Sequence, residues 1–335
     1  MTPTHKKLEL LIPHYKELPS EMEPMLRSLE LQRGIDFNDF GVIIVFDGEE
    51  SNPLPEQAWK DYYPFDIEFI HMPHKGLCAA RNKAFDCSTA DWVMFCDADD
   101  MFCSTMAIYI IMAEMEKGFD VLIDCFLEEL KRAGTGNMIY IPHERDFTFV
   151  HGKVYKRQHL LDKKVRFDER LTLCEDSNFN LIATNYTQNV GYCPTPYYLW
   201  CWRDGSTTRN DIGYYINAYP QFMDANTYTI ERFLADGNPA LAHFHVCAMI
   251  VDLYFLMNGG HWLEPQYAES RMKVGVRFKE YLKNFKDIWT TLDDDDIAKL
   301  STDKRYKTLK EEPNARQIIL TWCKNILDGT WAYVI

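Results

Sequence analysis

The sequence predicts an α/β protein, with a mostly parallel sheet covered by helices and a helical C-terminal region. Short apolar runs alternate with helical patterns through the first half of the chain. These runs are almost continuously apolar, as in strands that are buried on both faces. Beyond residue 210 the spacing of apolar residues is mainly helical. We therefore expect two structural units within the 335 residues, 1–210 and 211–335.

The strands and the first helix follow in order along this half. Runs of apolar, β-branched or aromatic residues predict strands at 8–12, which Pro13 ends, 42–46, 67–70 and 92–96. A helix is expected at 22–32, with Ser20 as a possible cap. Parallel sheets bind ligands at the carboxyl ends of their strands. Asp47, the segment 71–76 and Asp97 fall at such ends, so we expect them to border one crevice.

The C-terminal region reads as a series of helices. Residues 212–234 and 240–257 have helical, aromatic-rich patterns. Between 278 and 289 aromatic residues recur at helical spacing, and the overlapping segment 271–286 is rich in lysine and arginine. It could lie on an anionic membrane or meet a polyanionic acceptor, or it could simply pack an apolar stripe beneath a charged face. The acidic run 293–296 lacks the calcium-loop pattern and is interpreted as a helix cap or a solvated turn.

Composition and charge exclude several classes of protein. With 47% hydrophobic residues the chain is not disordered, and a net charge of −14 argues against a general nucleic-acid binder. No two of the ten cysteines form a C-x-x-C pair, so neither a zinc site nor a redox motif is predicted. The apolar run at the N-terminus is too short to predict a secretion signal, and the longest apolar stretch, 246–257, is shorter than the roughly 20 residues of a membrane span. We expect a soluble cytoplasmic protein without a transmembrane segment.

The most informative motif is FCDADD, in which a buried strand runs directly into Asp97, Asp99 and Asp100. Adjacent carboxylates repel one another, so a cation should compensate them. Oxygen ligands of this kind select Mg²⁺ or Mn²⁺, which complete their coordination with substrate phosphates. The alternative is an acidic turn that caps a helix starting near Ser104.

Two further segments add charged residues to the same crevice. In HKGLCAARNKAF, Gly76 permits a tight turn, and Arg81 could contact a diphosphate or pair with the acidic loop. In RFDERLTLCEDSNFNL, Glu175 and Asp176 begin a helical pattern. Either carboxylate could remove a proton from an acceptor hydroxyl, or both could merely stabilise the first turn of the helix.

Taken together, six ordered segments resemble glycosyltransferase family 2 over about residues 7–210. They are LIPHYKELPSEMEPMLRSLELQ, VIIVFDGEE, HKGLCAARNKAF, DWVMFCDADDMF, GKVYKRQHL and RFDERLTLCEDSNF. The resemblance implies the GT-A fold, which has a Rossmann-like, mostly parallel sheet. It also implies an inverting enzyme that takes a sugar from a nucleotide sugar, most simply a UDP-sugar, with Mn²⁺ or Mg²⁺. The chain has no Q-x-x-R-W motif, so transfer of one sugar per encounter is expected.

The same resemblance implies roles for individual residues. Asp47 should reach the nucleoside, Pro13 and Tyr15 should line the base pocket, and Asp176, or else Glu175, should be the catalytic base. Asp97 and Asp99 should form the D-x-D metal and donor site. The remaining residues expected near the donor or metal are Gly76 and Arg81 beside the donor, Arg203 in a loop that closes over the donor phosphates, and His151 or Asp204 as a third metal contact.

The acceptor is left open by the sequence. Segment 151–170 has a local balance of 7 − 3 = +4 and precedes the expected base, so it could border an anionic acceptor. The expected acceptor is a hydroxyl on a glycan or glycoconjugate, including a lipid-linked sugar with peripheral membrane contact. The alternatives are hydroxymethylated pyrimidines of phage-type DNA, and a different class of protein, namely a non-catalytic sugar-nucleotide binder or a nucleotidyltransferase.

Overall fold

The structure, a computed structural model, describes residues 5–132, 134–203, 214–259, 262 and 264–330. The chain divides into two compact units, Met1–Ser206 and Thr207–Ile335. The predicted fold class is confirmed, since the first unit is a mixed α/β fold with a mostly parallel main sheet and the second is helical.

The first unit contains two sheets. The main sheet has seven strands in the order β10-β6-β9-β4-β1-β2-β3, and β9 is antiparallel to both of its neighbours. A second sheet has the order β5-β11-β7-β8. The strands are Leu8–His14 (β1), Phe40–Asp47 (β2), Asp66–Met72 (β3), Trp92–Phe95 (β4), Met101–Phe102 (β5), Val121–Ile123 (β6), Cys125–Lys131 (β7), Met138–Glu144 (β8), Val154–Lys156 (β9), Val190–Tyr192 (β10) and Tyr198–Trp200 (β11).

The described residues of the first unit form six α-helices. They are Pro19–Glu30 (α1), Glu56–Tyr62 (α2), Leu77–Cys87 (α3), Ala107–Met115 (α4), Arg157–Asp162 (α5) and Glu175–Asn185 (α6). One apolar cluster packs α1 and α4 against the main sheet, and a second contains apolar residues of α3, α5 and α6. The sheet is thereby covered, and its β1–β2–β4 centre is fully buried.

The first strand runs past its predicted end. Pro13 lies inside β1 and pairs with Val45 of β2, and the strand ends at His14. The other neighbour, β4, pairs with β1 from Leu8 to Leu11, so the missing N–H of Pro13 interrupts no bond on that side. The prediction that Pro13 ends the strand was therefore wrong.

The described residues of the second unit form six α-helices and short 3₁₀ segments of three to eight residues. The helices are Tyr214–Ala235 (α7), Pro239–Met257 (α8), Ala268–Asn284 (α9), Lys286–Trp289 (α10), Asp294–Leu300 (α11) and Ala315–Asp328 (α12). Phe278, Leu282 and Trp289 are buried, so the apolar stripe of the basic segment packs inside this unit. Asp293 caps α11 and forms a reciprocal pair with Asp296, which confirms the predicted cap.

One helix in the described part of the chain, α8, is long and apolar enough to cross a membrane by length and composition. Half of its apolar window is buried within the structure, and a core helix of a soluble protein meets the same criterion. The helix begins at Pro239, earlier than the apolar run seen in the sequence.

Candidate active site

A single buried arginine organises the crevice at the carboxyl end of the main sheet. Arg81 lies on α3 with only 3% of its side chain exposed. Its Nη2 donates to Asp97 Oδ1 at 2.9 Å. Its Nη1 donates to Glu175 Oε1 at 3.1 Å and to Asp176 Oδ1 at 2.6 Å. The predicted metal strand and the predicted base therefore meet on one guanidinium.

The charges in this cluster do not balance, because one cation serves three carboxylates. Burial opposes the charge of Arg81, but Asp176, Asp97 and Glu175 outweigh it and raise the arginine pKa. Burial also disfavours ionised Asp97, yet Arg81 and His151 hold its pKa below the usual range. For Glu175 burial and the charge of Asp176 dominate, and they raise its pKa to about 7. One acid in the cluster is thus poised to exchange a proton near neutral pH.

The pair Glu175 and Asp176 forms the first turn of α6, as the sequence predicted. The helix dipole favours ionised acids at this position. Asp176 Oδ2 also accepts from the backbone N–H of Val150 at 3.2 Å, so both of its oxygens are held. The two carboxylates therefore stabilise the helix start and border the crevice at the same time, and their role as base stays a prediction.

The acidic loop after β4 separates its three aspartates. Asp100 is buried, and its oxygens accept from the Tyr198 hydroxyl at 2.7 Å and the Cys201 N–H at 2.9 Å. Asp97 N–H donates to the same Tyr198 hydroxyl at 3.1 Å. The helix after the loop, α4, has Met106 at its N-cap, so the alternative of an acidic helix cap is wrong.

A group of potential metal ligands lies where the loop meets His151. One ligand atom each from Asp97, Asp100 and His151 lie within 4.8 Å of one another. His151 is buried, its Nδ1 lies 3.8 Å from Asp97 Oδ2, and its Nε2 has no hydrogen-bond partner in the structure. A buried imidazole with one unsatisfied nitrogen and a carboxylate beside its other nitrogen fits a site for a divalent cation. Two of the three predicted metal residues are therefore brought together.

The third predicted ligand, Asp99, faces a different partner. Arg203 Nη1 donates to Asp99 Oδ2 at 3.0 Å, and its guanidinium also lies 3.9 Å from Glu17 and 3.7 Å from Glu21. Burial and Asp97 raise the pKa of Asp99, and Arg203 opposes that rise. The ligand role of Asp99 stays a prediction, and Asp204 lies outside the described residues.

On the opposite side of the crevice, Asp47 fixes the turn before α3. Its carboxylate accepts from the backbone N–H groups of Lys75 at 2.7 Å and Gly76 at 2.9 Å. Gly76 has φ +92°, which an L side chain would resist. Asp47 therefore holds the loop that presents α3 and its arginine. Contact of Asp47 and Gly76 with a donor stays a prediction.

The predicted base pocket contains an aromatic stack. The Tyr15 ring lies 4.8 Å from His74 at an interplanar angle of 19°, and His74 Nδ1 lies 3.0 Å from Asp47 Oδ2. Pro13, two residues before Tyr15, is buried. A flat, partly exposed ring beside a carboxylate suits a nucleobase, but base binding by Pro13 and Tyr15 stays a prediction.

Sequence reasoning missed a buried ion pair behind this site. Asp124 and Lys153 are fully buried with Lys153 Nζ 3.9 Å from Asp124 Oδ1. Burial raises the pKa of Asp124 to about 6, and Lys153 opposes the rise. Gly152 is essential to this arrangement, because a Cβ there would lie 2.0 Å from Asp124 Oδ2. The adjacent letters H-G-K in an apolar setting were the signal that was available.

The sequence of the first unit matches a known family. Residues 9–168 match the family model described as glycosyl transferase family 2. Residues 9–168 are a family 2 glycosyltransferase domain. The match contains the acidic loop, Arg81 and His151, and it ends before Glu175 and Asp176. The predicted family is confirmed.

Curated relatives share the sequence of this chain over part of their length. It is 24% identical over 233 residues to the uncharacterized glycosyltransferase EpsJ of Bacillus subtilis, which covers 62% of the chain and 64% of EpsJ. It is 25% identical over 166 residues to the minor teichoic acid biosynthesis protein GgaA of the same species, covering 44% of the chain and 37% of GgaA. The matches thus span less than two thirds of these relatives.

Solved structures share the fold. TarS of S. aureus, solved with UDP-GlcNAc, has a TM-score of 0.64 and 16% identity, covering 97% of this chain and 91% of the TarS chain. The mannosyltransferase PcManGT of Pyrobaculum calidifontis, solved with GDP-Man and Mn²⁺, has a TM-score of 0.51 and 15% identity, covering 97% and 89%. At these identities the likeness establishes the GT-A fold alone.

The comparisons do not support the modified-DNA alternative, since the relatives are named for glycan and cell-wall polymers. The basic segment that motivated it also differs from the expectation. Lys153 is buried, and Arg166 and Arg170 pair with Asp86 and Asp168. This part of the surface is therefore less available to a polyanion than the count of charges suggested.

Proposed function

We propose that the protein transfers one sugar from a UDP-sugar to a hydroxyl group of a glycan or cell-wall polymer, with inversion at the anomeric carbon. The observation that supports this most directly is the Arg81 cluster. It holds the acidic loop, which a donor diphosphate would approach, next to a carboxylate pair of the kind that removes a proton from a hydroxyl.

The donor side of the proposal rests on residues that fit a divalent cation. Asp97 and His151 would hold it, with Asp100 or Asp99 as a third ligand. A bound cation would supply positive charge to the departing nucleoside diphosphate. The Tyr198 hydroxyl fixes the loop backbone at Asp97, and Asp100 in turn fixes that hydroxyl. Preorganisation of this kind keeps the carboxylates in place before the donor arrives.

Arg203 suits a second role near the donor phosphates. Its guanidinium is 40% exposed and is held by Asp99 and more distantly by Glu17 and Glu21. An exposed arginine at the edge of an acidic site can exchange a carboxylate partner for a phosphate. We propose that Arg203 does so when the donor binds, which would release Asp99 toward the cation.

The acceptor side rests on Glu175 and Asp176. Asp176 is the proposed base, and Glu175, with its pKa near 7, shares the proton that the acceptor loses. A single base on one side of the sugar suits a direct displacement, which inverts configuration. The UDP-GlcNAc complex of TarS favours a UDP-sugar donor, although PcManGT was solved with GDP-Man. A cytoplasmic location stays a prediction.

Donor hydrolysis tests this function without knowledge of the acceptor. The full chain would be incubated with Mn²⁺ and, separately, UDP-GlcNAc, UDP-Glc, UDP-Gal and GDP-Man, and nucleoside diphosphate release would be measured. We expect slow hydrolysis of one UDP-sugar that EDTA abolishes and that Asp97→Asn reduces by about 10²-fold or more. Asp91→Asn is the matched control, since that aspartate is exposed and pairs only with the exposed His5.

The anomeric outcome gives a separate measurement. Proton NMR during hydrolysis of UDP-α-GlcNAc, or of whichever UDP-sugar is turned over, should show the β-anomer of the sugar first. Early release of the α-anomer would refute inversion while leaving the transferase activity intact. Turnover of GDP-Man alone would refute the donor class, and binding of UDP without any turnover would refute the proposed reaction.

A further inference from the structure

Three side chains of the helical unit, all of types that bind metals, lie close together. His243 and Cys247 are four residues apart on α8, so they lie on one face of the helix. Asp296 belongs to the first turn of α11, which packs against α8. One ligand atom from each residue lies within 4.8 Å of the other two.

The contacts of this cluster converge on one nitrogen of His243. His243 Nε2 lies 2.8 Å from Asp296 Oδ2 and 3.6 Å from Cys247 Sγ. This nitrogen either donates its proton to the carboxylate or accepts one from the thiol, and it cannot do both at once. A cation placed between the three atoms would satisfy the nitrogen, the sulfur and the oxygen together.

The distances also fit a small tetrahedral ion. Zinc–nitrogen and zinc–sulfur bonds of about 2.05 and 2.3 Å at a tetrahedral angle separate nitrogen from sulfur by about 3.6 Å. The observed separation of His243 Nε2 from Cys247 Sγ is 3.6 Å. Nitrogen and carboxylate oxygen would be about 3.3 Å apart, so the 2.8 Å contact with Asp296 needs to open only slightly.

Hydrogen bonds already orient the Asp296 carboxylate toward the other two side chains. The backbone N–H of Asp293 donates to Asp296 Oδ2 at 3.0 Å, and Asp296 N–H donates to Asp293 Oδ1 at 2.9 Å. Outer hydrogen bonds of this kind are what hold metal-binding carboxylates in place. Cys247 is 1% exposed and His243 is partly exposed, which gives a buried thiolate ligand and an access route from solvent.

We infer that His243, Cys247 and Asp296 form a zinc site in the second unit, with water completing the coordination. The mixed sulfur, nitrogen and oxygen ligands favour Zn²⁺ over the Mg²⁺ or Mn²⁺ that suits Asp97 and His151. On binding, the Cys247 Sγ–H bond breaks, the sulfur keeps the electron pair as it bonds the ion, and the proton goes to solvent. The ion would clamp α8 to α11 and so stabilise the helical unit independently of the transfer reaction.

Cobalt substitution tests this site separately from the active site. The full chain, freed of metal by EDTA and dialysis under reducing conditions, would be titrated with Co²⁺, and the near-ultraviolet thiolate-to-cobalt absorption would be recorded. We expect one equivalent of Co²⁺ to produce this band and one equivalent of Zn²⁺ to abolish it. Neither Asp97→Asn nor His151→Ala should change it, because the active site offers no thiolate among the residues of its described cluster.

The variant Cys247→Ser should lose the band, and Cys323→Ser should keep it. Cys323 is the matched control, since it is a buried cysteine of the same unit on α12 and is not part of the cluster. Asp296→Asn and His243→Gln should each weaken Zn²⁺ binding by at least about 10-fold, measured by competition with a chromogenic chelator. These two variants decide the question if Cys247→Ser fails to fold, as judged by near-ultraviolet circular dichroism.

Absence of a thiolate band in the wild-type protein would overturn the inference. So would a band that persists in Cys247→Ser, or Zn²⁺ affinity that is unchanged in both His243→Gln and Asp296→Asn. In that case the contact between His243 and Asp296 is an ion pair that ties the two helices together and nothing more.

Discussion

Glu175 and Asp176 act as a coupled pair rather than as two separate acids. Both accept a hydrogen bond from Nη1 of Arg81, and both are largely buried, with 12% and 14% of their side chains exposed. Burial and the charge of Asp176 disfavour ionisation of Glu175 and raise its pKa to about 7. Glu175 therefore exchanges its proton near neutral pH.

This pair predicts the pH dependence of the reaction. Glu175 must be unprotonated to share the proton that the acceptor loses, so kcat/KM should fall as pH decreases through about 7, the pKa of Glu175. Asp176→Asn should lower kcat by about 10²- to 10⁴-fold at every pH. Glu175→Gln should retain more activity and move the acidic limb to lower pH, because the neighbouring charge is gone. A pH–rate profile of donor hydrolysis for the three proteins measures this.

A wild-type profile that is flat between pH 6 and 8 would contradict the pKa of about 7 for Glu175. If Glu175→Gln loses more activity than Asp176→Asn, the two residues exchange their proposed roles, and Glu175 is the base.

Substitution of Arg81 should lower the activity strongly and change its pH dependence. Arg81→Met leaves Asp97, Glu175 and Asp176 without their buried counter-charge, so two acids should take up protons at neutral pH. We expect kcat to fall by about 10²-fold or more and the pH–rate limb to move upward. Arg166→Met is the matched control, because Arg166 forms a partly exposed ion pair with Asp86 away from the cluster. Equal activity of the two variants would refute the role of Arg81.

At this scale the sequence identified residue types better than residue partners. Asp97, Glu175, Asp176 and Arg81 could be selected because a buried strand and a helix start lead directly into them. The partners could not be assigned, since adjacent aspartates diverge. Asp99 faces Arg203 and Asp100 faces Tyr198, and both partners lie about 100 residues away in sequence.

The backbone conformation between β8 and β9 requires a glycine at position 152. Its φ of +75° is left-handed, and an added Cβ would meet the carboxylate of Asp124 at 2.0 Å. Gly152→Ala should therefore displace the buried Asp124–Lys153 pair and His151 with it. We expect a loss of stability of about 2 to 4 kcal/mol, as for disruption of a buried charged pair, together with weaker Mn²⁺-dependent activity. Chemical unfolding and donor hydrolysis measure the two effects.

Gly136→Ala isolates the steric part of that effect. Gly136 has φ +70°, close to that of Gly152, but nothing lies within 4 Å of an added Cβ. It should therefore show only the backbone strain of about 1 kcal/mol. Equal loss of stability in the two variants would mean that the contact with Asp124 does not matter.

Strands with uniform apolar runs were predicted, and strands of the second sheet were not. β2 and β4 are apolar along their length and buried, so their sequences identify them. β8 is exposed over most of its length and contains Pro142, because it lies at the edge of its sheet. An edge strand needs no apolar face, and its sequence therefore gives little signal.

For the whole molecule, the buried cluster predicts how stability changes with pH. The folded-state pKa of Glu175 is about 7 against 4.5 for the free side chain, so the folded state keeps a proton that the unfolded state has lost between these values. Stability should consequently fall as pH rises through this window. Glu175→Gln removes the effect and should be more stable than wild type at pH 8 by about 1 to 3 kcal/mol.

Unfolding in urea at pH 5 and pH 8, without divalent cations, measures this difference. The two proteins should differ little at pH 5 and more at pH 8. A larger advantage of Glu175→Gln at pH 5 would have the wrong sign and would contradict the raised pKa. A more stable but less active variant would be an example of strain kept at a functional site.

The organisation of the whole chain was predictable in outline. Alternation of strands and helices predicted the first unit, and helical spacing predicted the second, with a boundary within a few residues of Ser206. The proposed zinc site of the second unit was not predictable, because His243 and Cys247 become neighbours of Asp296 only when α8 packs on α11. A spacing of four residues between histidine and cysteine is too common to signal a site by itself.

One guanidinium holds the carboxylates that we propose for the donor side and for the acceptor side, so under this proposal neither side can be changed in isolation. A substitution that shifts Arg81 toward Asp97 withdraws it from Glu175 and Asp176. Laboratory evolution toward a new donor sugar should therefore change the pH optimum as a side effect, and variants selected for alkaline tolerance should drift in donor preference.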